Sequence, residues 1–342
     1  MRQSLIGTLA FTALAGFVAT GCGSSGGSTG PTGGTISAAQ AQGAAAAAQS
    51  LGNSGLTVIT SMSDLGASGL PALVSNAAGA TPDAKGALAA ALYAAGIRGR
   101  ALGLVGAPPV FRSGSACMPT LAGALDSANA PLDTDGDGIP DSVTATYTNG
   151  NCTVYDSASA TTFTFTGTFK LVDIGTVFGF RLLVDLHYTL TSPSESSHLT
   201  MTGSETFTVS STVADLLVDL TTNDTVTASG HTISTQIQNQ LHFVFTANQG
   251  SSIVLGSPIP DGTMDITGHV GTTLQGQPGS FSFDITTPTL LAYSAACDAA
   301  NNNPPFTAGQ IVGAFTGYAT AGFSVTFTGC GVTPTVTTTG TT

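Results

Sequence analysis

Nine residues, Asp133-Thr134-Asp135-Gly136-Asp137-Gly138-Ile139-Pro140-Asp141, gather four carboxylates in a chain of which only 8% of residues are charged. Left unpaired, charges this close repel one another. With Gly136 and Gly138 allowing the backbone to turn, side chains two apart can converge on one hard cation. The spacing predicts a metal loop in which Asp133, Asp135, Asp137 and Asp141 ligate by side chain and Ile139 by its backbone carbonyl. Ca²⁺ suits such a set, since it accepts about 6–8 oxygens in irregular geometry, whereas Mg²⁺ demands an octahedron and keeps its waters. No nucleophile neighbours the loop and no open coordination position is marked, so the expected role of the cation is structural.

DxDxDGxxD resembles the calcium loop of thrombospondin type 3 repeats and, more loosely, the EF-hand. The resemblance covers nine residues, so it implies a site and no fold. Position 12, where an EF-hand carries a bidentate Glu, is Thr144 here. One carboxylate fewer predicts weak affinity, on the order of 10⁻⁴–10⁻³ M, as in extracellular modules.

Of the other residues able to do chemistry, Cys117, Cys152, Cys297 and Cys330 come first. An even number in an exported chain reads as two disulfides with three connectivities open. Pairing nearest neighbours joins Cys117 to Cys152 around the acidic loop and Cys297 to Cys330 near the last strands, each worth about 3–4 kcal/mol. Zinc is disfavoured because no CxxC occurs. His187, His242 and His269 fall on the polar phase of strand patterns and meet only if their strands are neighbours. His198 and His231 complete a set that reads as scattered over the surface. Asp185 and Asp219, each between apolar strand residues, are a weak glycosidase pair. No P-loop or H-E-x-x-H occurs.

The N-terminus decides where such groups would work. Arg2 precedes a 14-residue apolar run, Leu5 to Val18, which is short for a membrane span and suits a secretory signal. Ala19-Thr20-Gly21-Cys22 resembles the lipobox of bacterial lipoproteins, with Ala19 where Leu is usual. The resemblance implies that Cys22 is acylated and becomes the mature N-terminus. Gly23 in place of Asp implies delivery to the outer membrane. Gly23 to Thr35 is Gly/Ser-rich and reads as a flexible tether.

Behind these groups stand the elements that must position them. Residues 36–115 are Ala-rich and predict helix, first over Ile36 to Ser50 with a stop at Gly52-Asn53, then from a Thr81-Pro82-Asp83 start. From residue 154, apolar residues alternate with Thr. The pattern runs through Phe163, Phe165, Phe169 and Leu171, then Phe180 to Leu190, Leu199 to Val209, and Ile233 to Phe245. It continues through Met264 to Val270, Phe281 to Ile285 and Phe323 to Phe327. Period two over so many segments predicts a mainly β protein of long antiparallel strands, wet on one face. Three architectures fit: a sandwich, a closed barrel, or a curved half-barrel capped by the helices. A transmembrane barrel alternates too, but Trp is absent and Tyr number only 6, too few for aromatic girdles. The expected organisation is signal 1–21, tether 22–35, helical segment 36–115, calcium loop 116–153, β domain 154–332 and disordered tail 333–342.

The charge balance, 7 Lys+Arg against 19 Asp+Glu for a net −12, excludes a phosphate-binding surface and hence nucleic acid. The leading expectation is a noncatalytic, lipid-anchored envelope protein whose partner is the membrane, reached through Cys22. The second is a carrier module in which Phe169, Phe180, Leu186 and Phe243 line a cavity for an apolar ligand. The third is a secreted hydrolase, which needs His187 or His242 within reach of Asp and Ser.

Overall fold

The computed structural model describes residues 36–64, 120–123, 132–135, 139, 141–148, 153–156, 161–175, 178–193, 195–228, 231–255, 257–275, 280–300 and 304–341. The signal, Cys22 and the tether lie outside these residues, as do the helix expected from Thr81, Cys117, Asp137 and Cys152.

Helix α1 (Ala38–Asp64) opens on a capping box. Gln40 donates its backbone N–H to Ser37 Oγ at 3.2 Å, and Gln40 Oε1 accepts from the Ser37 N–H at 3.0 Å. Ala41, Ala44, Ala45, Ala48, Leu51, Leu56 and Ile59 are buried at the three-and-four spacing of one helical stripe. The expected stop at Gly52-Asn53 is corrected, because the helix continues through both. A Cβ on Gly52 would stand 3.1 Å from Phe306 Cε2 and 3.4 Å from Leu291 Cδ1, and one on Gly55 would run into the Phe243 ring. Packing at these contacts outweighs the roughly 1 kcal/mol by which Gly disfavours a helix interior.

Among the described residues thirteen strands form one antiparallel sheet. They are β1 (Thr120–Gly123), β2 (Ser142–Tyr147), β3 (Thr153–Asp156), β4 (Thr161–Asp173), β5 (Gly179–Thr191), β6 (Glu195–Val209) and β7 (Val213–Ala228), followed by β8 (His231–Ala247), β9 (Gly262–Gln275), β10 (Phe281–Tyr293), β11 (Phe306–Phe315), β12 (Gly322–Phe327) and β13 (Thr335–Thr339). Each pairs with its chain neighbour, except that β4 takes both β2 and β3. A short helix, α2 (Ala295–Ala299), sits between β10 and β11. A single meander is not a two-sheet sandwich. Among the described residues β1 and β13 do not pair, so the sheet keeps two edges and the half-barrel describes it best.

Curvature comes from glycine. Gly167, Gly203 and Gly268 hold φ of +128°, +141° and +142° within unbroken ladders. At each, a Cβ would collide with a backbone carbonyl of a neighbouring strand: Asp185, Asp219 and Gln240 respectively. Only Gly permits that approach, and such kinks bend a sheet. The inner face is apolar, with Phe169, Phe180, Phe207, Phe243 and Phe283 at 2% exposure or less. Across it lies α1, touching β11, β12 and β13 on one side and β6 and β7 on the other. Outward positions of β6 to β8 carry Thr200, Thr202, Asp219, Asn223 and Gln236. Apolar inside and polar outside is the inverse of a membrane-spanning barrel. No helix among the described residues is long and apolar enough to cross a membrane.

Two expected boundaries are corrected. Residues 116–153 contribute β1, β2 and β3 to the same sheet, so no domain boundary falls at 153–154. Residues 333–342 are not a disordered tail, since β13 pairs with β12 from Gly322↔Thr339 to Thr326↔Thr335. Its β-branched threonines suit an edge, and Thr337 Oγ1 lies 2.8 Å from Ser324 Oγ.

Candidate functional site

The acidic loop hangs from the sheet by an apolar peg. Ile139 is fully buried in the core, whereas Asp133 is half-buried and Asp135 exposed. Asp141, the residue before β2, closes the loop, its N–H donating to the Leu132 carbonyl at 2.7 Å. The Asp141 carbonyl accepts from the Asp173 N–H at 3.2 Å, tying the loop to the end of β4. Both Asp141 carboxylate oxygens are engaged by one residue: Thr134 donates its N–H to Oδ1 at 2.8 Å and its hydroxyl to Oδ2 at 2.6 Å. These bonds favour the ionised form and hold the Asp141 carboxyl below its ordinary 3.8. Among the described residues no three His, Cys, Asp or Glu side chains converge on one point. Each Asp141 oxygen that would ligate a cation accepts one hydrogen bond from Thr134 and keeps a further lone pair.

On the outer face the histidines do not converge on one site, and three of them have a carboxylate neighbour. His269 Nδ1 lies 2.7 Å from Asp284 Oδ1, directly across the β9–β10 ladder. His242 Nε2 lies 3.0 Å from Asp215 Oδ2 on the neighbouring strand. His187 Nε2 lies 3.4 Å from Asp185 Oδ1 on its own strand, with the His198 ring centroid 6.4 Å away. All are well exposed, and among the described residues no serine hydroxyl bonds to any of them. Asp185 and Asp219 face outward on β5 and β7 with β6 between them. Their backbones are on the order of 12 Å apart.

The inner face carries groups that sequence reasoning missed. Glu205, Thr222, Asn239 and Thr272 are buried there among apolar side chains, at 1%, 1%, 6% and 3% exposure. Among the described residues Thr222 Oγ1, Asn239 Nδ2 and Thr272 Oγ1 have no hydrogen-bond partner. Threonine in a Thr-rich strand gives no signal of this. Only the ladder register shows which ones break an apolar row.

Of the two expected disulfides, Cys297–Cys330 is formed, with Cα atoms 5.8 Å apart. It joins α2 to the connection after β12. Cys297 lies in the first turn of α2, where its N–H faces Ser294 Oγ at 3.5 Å and the Ala295 N–H donates to Asp261 Oδ1 at 2.7 Å. The chain matches no family model, no curated protein and no solved structure.

Proposed function

We propose that the chain is a noncatalytic protein of the bacterial envelope, exported by its N-terminal signal and held to the outer membrane through acylated Cys22. Gly23 to Thr35 serves as a leash for the half-barrel, and Asp133, Asp135, Asp137 and Asp141, with the Ile139 carbonyl, take a structural Ca²⁺. The observation that carries export is the Cys297–Cys330 disulfide, which persists in an oxidising compartment and is worth about 3–4 kcal/mol. A noncatalytic role is supported by the distribution of the reactive groups. The histidines sit in separate, solvated pairs on the convex side, while the concave side is lined by Phe and Leu.

A carrier for an apolar ligand would need open space beside Phe169, Phe180, Leu186 and Phe243, but all four face inward and are 1% exposed or less, which is the burial of a packed core. The hydrolase reading lacks a serine at any histidine among the described residues. Fractionating cells that express the full chain or Cys22→Ser tests the anchor. The parent protein should pellet with membranes and the variant should be released. A variant that stays in the pellet overturns the lipid leash.

A further inference from the structure

We infer that the outer face of β5 to β7 docks against the same face of a second copy of this chain, the basic half of each meeting the acidic half of the other. The run Leu-Leu-Val-Asp occurs twice, at 182–185 in β5 and at 216–219 in β7. In each, the first Leu and the Val are buried at 5% exposure or less, whereas Leu183 and Leu217 point outward and are 37% and 48% exposed. The outward residues beside them are Arg181 and Asp185 on β5, and Asp215 and Asp219 on β7. Both leucines therefore break an otherwise polar face. β6 runs between them, and its outward Ser204 and Thr206 are short enough to let another surface come close. The two leucines stand about 12 Å apart.

Charge divides this surface. Lys170 on β4 pairs with Leu183, and Arg181 is two residues from Leu183, which puts the two cations about 8 Å apart. They are the only Lys and Arg among the described residues. Asp215 and Asp219 lie on the other side of β6. Asp185 and Asp215 each have a histidine beside them, but among the described residues Lys170, Arg181 and Asp219 form no ion pair. A two-fold axis along β6, midway between two facing copies, carries the basic half of one onto the acidic half of the other. The exposed leucines then enter the same contact and lose water together. An anionic lipid surface would suit Lys170 and Arg181 but repel Asp215 and Asp219, whereas a second copy answers both signs. Convex curvature confines the contact to about three strands, short of the roughly 800 Å² per partner of a stable dimer, so the association is weak.

Sedimentation of the purified full chain tests this, with Cys22→Ser as the common background so that no acyl chain drives association. The mass should rise towards twice that of one chain as concentration increases. Leu183→Thr/Leu217→Thr, which restores the alternation, should weaken association roughly tenfold without lowering the melting temperature. Arg181→Glu and Asp219→Arg should each weaken it as much when alone, because like charges then face each other. Mixed in equal amounts, those two proteins should associate again, since both contacts of the mixed pair join opposite charges. A background protein that stays monomeric up to about 1 mM overturns the inference. Association that none of these substitutions weakens overturns it too, as does a mixture that stays monomeric. A monomeric background that floats with vesicles of phosphatidylethanolamine and phosphatidylglycerol would give the face to lipid instead.

Discussion

Thr134 gives both of its donors to Asp141, and that one arrangement sets how the acidic loop responds to acid and to calcium. The folded Asp141 carboxyl titrates below 3.8, so its contribution to stability is present above that pH and is lost as pH falls through the lower folded value. Thr134→Val should return Asp141 towards 3.8, read from its side-chain carbon shift in an NMR titration; an unmoved titration refutes the role given to Thr134. The calcium we propose would bind the same oxygens. With affinity near 10⁻⁴–10⁻³ M, roughly 10 mM Ca²⁺ should stabilise the protein by about 1.4–2.7 kcal/mol, seen in calorimetry as a melting point a few degrees higher. Asp135→Ala should abolish the rise. No rise in the parent protein removes the metal from the account. Tyr147 shows a related effect at the other pH extreme: its burial, edge-on against Phe169, pushes its ionisation well above the ordinary 10.

Among the elements, the two glycines of α1 that meet aromatic rings separate helix propensity from packing. Gly→Ala in a solvent-facing helix interior stabilises by about 1 kcal/mol. At Gly55 the new methyl strikes the Phe243 ring, so Gly55→Ala should instead destabilise by about 1–3 kcal/mol. At Gly52 the nearest ring atom is 3.1 Å away, a few tenths of an ångström short of easy contact, and the two effects should nearly cancel. Denaturant melts of the pair test this, and equal stabilisation by both substitutions would mean that the helix is not seated on the sheet. The same residues show why the sequence was only partly legible. In Gly52-Asn53 a stop signal and a packing glycine are the same letter, and only the facing Phe306 distinguishes them. Strands from β4 onward could be read because Thr alternates with Phe, Leu and Val against a buried face. β13 could not, since Thr335 to Thr339 bury almost nothing and gain their order from the edge of β12. The acidic loop was visible as four carboxylates, but the hold of Thr134 on Asp141 was not. Nor were the cross-strand pairs His242–Asp215 and His269–Asp284 or the three unpaired donors, which depend on cross-strand register.

For the whole molecule, one topology accounts for most of what is seen. A meander needs only short connections, glycine kinks bend it, and the bent inner face is apolar enough to bury a helix of mostly small residues. That leaves the convex face to Thr, Asn, Gln and paired His and Asp, a solvated exterior with little charge. Such a sheet keeps two edges, and the crosslink between Cys297 and Cys330 fixes α2 and the connection preceding β13 near one of them. That crosslink suits the oxidising compartment in which we propose the protein works. In that proposal export joins the anchor, the calcium and the crosslink. Differential thiol labelling of the full chain recovered from fractionated cells tests it most directly. The account predicts protein in the membrane fraction whose Cys297 and Cys330 react with maleimide only after reduction. Unprocessed protein in the soluble cytosolic fraction, with both thiols labelled at once, would contradict it.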